Sequence, residues 1–158
     1  MKTWLQGVLF LVLLFGVIQV IHPNTTNPPI QSAQTLGSAL AVDSNVATLL
    51  ERSCHDCHSN NTRWPWYSQV APVSWLVVGD VNRGRRAMNL SEWTRVDATK
   101  QRNLLTHICG EVKDGEMPPQ AYKVVHRNAG LTSADTNMLC AWTNSTVELQ
   151  RRADKEGD

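Results

Sequence analysis

From Trp4 to Ile21 the chain is apolar at almost every position, interrupted only by Gln6, Gly7, Gly16 and Gln19. A continuous helix over that run is about 27 Å long, close to the ~30 Å hydrocarbon layer of a bilayer. Residues 1–21 therefore read as a membrane anchor or a secretory signal. A signal has a shorter apolar core, with small residues around a cleavage site soon after it. Here the run ends in Ile21-His22-Pro23-Asn24, which favours the anchor. Residues 22–35 have no period and carry Pro23, Pro28 and Pro29. They read as an extended, semi-rigid linker that holds the rest of the chain off the membrane.

Between residues 36 and 152 apolar positions recur at helical spacing. Val42, Val46, Leu49 and Leu50 fall at i, i+4, i+7 and i+8, predicting a helix from about Ser44 to Ser53 with Asp43 or Ser44 as its cap. Pro72 opens a second helix to about Ala87, with Val73, Leu76, Val77 and Val81 as its apolar face. Asn89 to Trp93 reads as a turn, with Ser91 capping a short segment. Asp97 caps a third helix to about Asp114, striped by Leu104, Leu105, Ile108 and Val112. Thr132 and Asp135 form a variant capping box before a last helix, Ser133 to about Arg152, with Ala134, Met138, Ala141, Trp142, Ser145 and Leu149 near one face. Residues 153–158 are charged and read as a frayed tail. The expected fold is all-α, one domain of four or five helices.

A formal net charge of +1 gives no reason to expect a nucleic acid partner. No Lys or Arg occurs between Lys2 and Arg52, so nothing opposes export of the remainder, while Lys2 keeps the amino terminus inside. The domain is expected on the non-cytoplasmic side. There is no Gly-rich phosphate loop, paired-carboxylate site or Ser/His/Asp arrangement.

The chemistry concentrates in Cys54-His55-Asp56-Cys57-His58, a C-x-x-C-H run of the kind that attaches c-type haem. Two thiols add across the two vinyl groups of one porphyrin, and the neighbouring imidazole of His58 becomes the proximal iron ligand. A bare C-x-x-C also serves as a thioredoxin-like redox pair or as half a zinc site. The chain has four cysteines. Cys109 and Cys140 either close a disulfide in an oxidising compartment or sit unlinked as small core residues. Gly115-Glu116-Met117-Pro118-Pro119 offers a thioether on a loop stiffened by proline, and a methionine opposite histidine raises the haem potential. Met117 is thus the candidate sixth ligand, with His126 its main rival and His55 and His107 behind. Trp64, Trp66 and Tyr67 are candidates to wall the porphyrin, with core packing as the alternative. Arg83, Arg85 and Arg86 are either propionate partners or a solvated face.

The stretch from Cys54 to Trp93 resembles the bacterial haem-binding domain family of small c-type cytochromes. The shared residues are Cys54, Cys57, His58, Ser59, Asn60 and Thr62, then Pro65-Trp66-Tyr67 and Pro72-Val73-Ser74-Trp75. They continue with Asn82, Gly84, Asn89, Ser91 and Trp93, followed by Gly115, Met117, Pro118, Tyr122 and His126. The likeness covers about Pro28 to Trp142. It implies a cytochrome c-like helical scaffold around one covalent haem, with His58 proximal and Met117 distal; it does not name a partner. The expected protein is an electron carrier rather than an enzyme. It sits in the periplasm on the bacterial inner membrane, or free there if the first helix is cleaved, and serves a redox partner protein. The alternatives are a haem enzyme or ligand sensor with an exchangeable sixth position, a structural haem domain, and a haem-free thiol-disulfide oxidoreductase.

Overall fold

The structure, a computed structural model, describes residues 2–156. Among them are eight α-helices and no strand, joined by short 3₁₀ turns. The all-α expectation holds.

Helix α1, Lys2–Ile18, presents its apolar side chains to the outside. It is 17 residues long and stops short of the apolar run, which continues through a turn to Ile21. Among the described residues no helix is long and apolar enough to cross a membrane. The turn forms because Gln19 is engaged elsewhere. Its side-chain oxygen accepts from Ala71 N–H (2.9 Å), and its amide donates to Ala71 C=O (3.1 Å).

Residues 22–31 are extended, as their prolines require, but they lie along the domain rather than standing away from it. Asn27 is the fastening point. It donates to Thr62 C=O and accepts from Trp64 Nε1 and from Arg85.

Helix α2 is a single turn, Leu36–Ala39, that buries Leu36. Helix α3 spans Ser44–Ser53 and is capped by Asp43, whose carboxylate accepts from Asn45 N–H. Helix α4 is the single turn His55–His58. Helix α5 spans Val73–Ala87. Its buried residues are Ser74, Val78 and Val81, so of the face expected from Val73, Leu76, Val77 and Val81 only Val81 is buried and Val77 half-buried, while Val73 and Leu76 are exposed. The 3₁₀ segment Leu90–Arg95 is capped by Asn89, not Ser91, and the Ser91 hydroxyl instead accepts from Asn60 N–H.

Helix α6, Ala98–Lys113, starts at Asp97 as expected, and helix α7 is the short Gln120–Val125. Helix α8, Ser133–Glu156, opens on the reciprocal Thr132/Asp135 box. It continues past Arg152 because Asp154 pairs with Arg102 of α6 at 2.6 Å; residues 157–158 lie outside the described residues. Its buried residues are Leu139, Cys140, Trp142, Thr143 and Val147; of the expected stripe Trp142 is in the core and Met138 packs against it, while Ala134, Ala141, Ser145 and Leu149 are exposed.

The core lies where α3, α6 and α8 meet around Leu49, Leu105, Leu139 and Trp93. A Cys109–Cys140 disulfide ties α6 to α8 across a separation of 31 residues and sets the inward face of α8. Arg52 of α3 reaches Asp135 of α8 at 2.7 Å.

Closing a loop of that length is worth about 3–4 kcal/mol in the chain-entropy view. The double variant Cys109→Ser/Cys140→Ser is expected to lose about that much stability in urea unfolding. An unchanged urea midpoint would contradict it.

Candidate functional site

Cys54 ends α3 by donating its N–H to Leu50 C=O at 2.9 Å. The chain then makes one further turn, with His58 N–H on Cys54 C=O at 2.9 Å. Positions i, i+3 and i+4 of a helical turn share a face. Cys54, Cys57 and His58 therefore open together on one cavity of about 600 Å³, within the ~300–1,000 Å³ range of cofactor sites.

Two contacts hold this turn in place. The first is Gly84 of α5: a Cβ built there would lie 2.5 Å from the Cys57 carbonyl oxygen, so only glycine permits the approach. The second fixes the imidazole. His58 Nδ1 lies 3.1 Å from Met88 C=O. A carbonyl only accepts, so Nδ1 carries the proton and Nε2 keeps its lone pair. Burial lowers the His58 pKa, against the pull of the Met88 and Gly84 carbonyls, so the ring is neutral at pH 7. Neutral imidazole with one nitrogen tied to a carbonyl is the form that binds metals.

Burial drives both thiols the other way. Cys54 is pushed up to about 12, helped by Cys57, and Cys57 to about 11, helped by Asp56 and Asp80. Neither is in a disulfide. Disulfide oxidoreductases depend on thiols lowered to roughly 3.5–7.5, so these sulfurs lack that activation.

The remaining wall comes from α6 and the loop after it, through Leu104, Ile108, Val112 and Met117. Met117 is delivered by a glycine stop. Gly115, at φ 77°, ends α6 and lets both Glu116 N–H and Met117 N–H return to Glu111 C=O, at 3.0 and 3.1 Å. Met117 thus lines the same cavity as His58.

The rivals separate. His107 also lines the cavity. His126 does not: it stacks on Tyr122 at 4.1 Å, and its Nε2 lies 3.2 Å from the Tyr67 hydroxyl. His55 pairs with Glu51 at 2.6 Å on a separate, smaller cavity. Trp64, Trp66 and Tyr67 are absent from the cavity wall, which corrects that expectation. Trp64 is fastened to Asn27, Tyr67 to His126, and Trp66 faces out.

The arginines also divide. Arg85 turns inward onto Ser59 C=O, Thr62 and Asn27, Arg86 is exposed, and Arg83 stands with its partner Asp80 and with Lys100 at the cavity.

Sequence reasoning missed the part played by Asp56. It is buried, and it accepts from the Tyr122 hydroxyl (2.7 Å), Arg63 N–H (3.1 Å) and Arg63 Nε (3.2 Å). Burial alone raises its pKa, but these donors outweigh burial and hold it below the usual carboxylate range. Tyr122, raised in turn by burial and by Asp56, lines the cavity. Asp56 therefore links the C-x-x-C-H turn to the wall that closes over it. The only cue in the sequence was a carboxylate inside that motif.

The residues present fit a haem. The walls are largely apolar, one neutral imidazole offers a free nitrogen, two protonated thiols sit beside it, a thioether shares the cavity, and cations stand at its edge. A family model described as Haem-binding domain matches residues 13–145. No curated protein and no solved structure matches the chain.

Gly84→Ala is expected to destabilise by about 1–3 kcal/mol through overpacking against Cys57. Gly110→Ala, with nothing near its added methyl, should stabilise by about 0.5–1 kcal/mol. Matching signs in chemical unfolding would refute the close-approach argument.

Tyr122→Phe removes a bond to a charged acceptor and should cost about 1.5–3 kcal/mol at pH 7. A carboxylate depressed in the folded state stabilises above its unfolded value, and that stability is lost as pH falls through the folded one. The gap between wild type and Tyr122→Phe should therefore shrink below about pH 4. A gap that stays constant in urea titrations down to about pH 2 would count against the Asp56 link.

Proposed function

Because this chain belongs to the Haem-binding domain family, and so takes haem as its cofactor, we propose that it is a monohaem c-type cytochrome carrying single electrons at the periplasmic face of a bacterial inner membrane. The observation behind this reading is the convergence of Cys54, Cys57, His58 and Met117 on one apolar cavity. The two thiols would hold the haem by adding S–H across its vinyl double bonds, with no leaving group. His58 would offer Nε2 to the iron, with Nδ1 spent on Met88 C=O. Met117 would offer its thioether from the loop fixed by Gly115.

Bound haem supplies a one-electron couple between ferrous and ferric iron. The chain's own part is positional. Both donors are held by backbone hydrogen bonds, so neither needs to move when the charge changes. Leu50, Leu104, Ile108 and Val112 would keep water from a bound ring, and Arg83 and Lys100, which line the same cavity, would be available to its propionates. Helix α1 serves as the anchor, or as the export signal where it is cleaved, and a redox partner protein meets the domain at the membrane.

The thiol-disulfide alternative is disfavoured by the raised thiol pKa values. The enzyme or sensor alternative needs an exchangeable sixth position, and it is separated by experiment.

The test is expression with export and haem maturation. Wild type should keep its pigment through acid-acetone extraction, whereas Cys54→Ser/Cys57→Ser should release it or never acquire it. Met117→Ala should lose the weak red sulfur-to-iron band, bind carbon monoxide when reduced, and show a lower midpoint potential, within the ~0.8 V span that axial ligands set. If that band persists in Met117→Ala, or wild type binds carbon monoxide as readily, Met117 is not the sixth ligand. Pigment extractable from mature wild type would end the c-type reading.

A further inference from the structure

Helix α5 carries a face that its own fold leaves uncovered. Val73 and Leu76 are 41 % and 66 % exposed, and Trp66, in the turn packed against α5, is 78 % exposed. Counting 100° per residue, Val73 and Leu76 share one stripe with Asp80 and Arg83, and the last two reach the haem cavity. The stripe is thus apolar in its first turn and charged from its third.

The apolar end adjoins the exit of α1. Trp75 donates its indole N–H to Ile21 C=O at 2.9 Å, and Gln19 grips Ala71 through both its N–H and its C=O. Val20 and Ile21 are themselves exposed and apolar. The end of α1 is therefore hydrogen-bonded to the start of α5 and to the turn before it.

We infer that Val73 and Leu76 form a membrane-contact face on which the haem domain rests at the bilayer interface, with the Trp75 indole, on the neighbouring side of α5, joining it to the end of α1. This deepens the reading that α1 is a membrane anchor, and rests on it. A helix of 17 residues is about 26 Å long, some 4 Å short of the ~30 Å hydrocarbon layer. A short apolar segment draws its flanks toward the interface. The flank here is the indole of Trp75, bonded directly to Ile21, and indoles favour headgroup depth. Leu76 follows it in the chain. With no Lys or Arg from residue 3 to 51, attachment in this region does not depend on anionic lipid. Asp80 and Arg83 lie only about 6–10 Å along the helix from Leu76, so the cavity edge is kept close to the lipid surface.

The test uses the full, haem-loaded chain in phosphatidylcholine vesicles, with nitroxide labels at Leu76→Cys, Leu149→Cys or Leu11→Cys. Leu149, on α8, is 65 % exposed and so controls for exposure alone. Collision with oxygen is compared with collision with a water-soluble nickel chelate. The expected result is a ratio at Leu76 shifted toward the lipid value given by Leu11, insensitive to added salt, with Leu149 at the aqueous value. A lipid-exposed Leu11 with an aqueous Leu76 overturns the contact face and leaves the anchor standing. An aqueous Leu11 overturns the anchor and the contact face together. Spin–spin broadening at Leu76 assigns the face to a second copy of the chain and overturns the bilayer.

Discussion

At Gly84 the fourth turn of α5 lies against the carbonyl of Cys57, with no room for a side chain between them. The rest of the site depends on that approach. It brings the end of α5 within reach of His58, whose Nδ1–H then finds Met88 C=O, and so decides which nitrogen is free. It also carries Arg85 inward, where its guanidinium takes Ser59 C=O and Thr62 and anchors the loop beyond the cysteines. A single missing Cβ thus sets the ring tautomer, the loop and one wall of the cavity.

Asp56 makes the complementary link from the other side. The two residues between the cysteines are often regarded as spacer. Here one of them is buried outside the cavity lining and accepts from Arg63 and Tyr122, and through Tyr122 it binds the turn to the segment after Met117. The His58 and Met117 sides of the cavity are therefore linked by the protein itself. A buried carboxylate is costly unless its lone pairs are met, and three donors meet them. That requirement orders α7, a helix of only six residues that has little stability of its own.

The starts of α3, α6 and α8 were legible from capping chemistry, whereas the 3₁₀ segment is capped by Asn89 rather than Ser91 and the Thr35 cap of α2 was not foreseen. Asp43, Asp97 and the Thr132/Asp135 pair started helices where expected, and Gly115 stopped one. The motif residues and Met117 were legible because their types are rare and their spacing is constrained. Which face turns inward was less legible. In α5 the stripe of valine and leucine read as core, yet the buried positions begin with Ser74, whose small side chain permits close packing. In α8 the disulfide to Cys109 overrides a pattern in which alanine and leucine pointed elsewhere. Helices α4 and α7 are too short for any period to show. His126 looked like a ligand by type alone, and only the fold reveals that Tyr122 and Tyr67 already occupy it.

The cysteines bear on compartment by two separate routes. A disulfide between Cys109 and Cys140 is typical of an oxidising environment, and the export proposed for the apolar α1, which opens on Lys2, would take the domain to one. Under the proposed function the same environment would threaten Cys54 and Cys57, which would have to remain thiols until haem is attached. Oxidation and exchange proceed through the thiolate. Burial keeps both sulfurs protonated at neutral pH, so they are slow to react on their own. The fold therefore separates two fates for four identical side chains: one pair is joined across α6 and α8, and the other is held on a single turn with its proton retained.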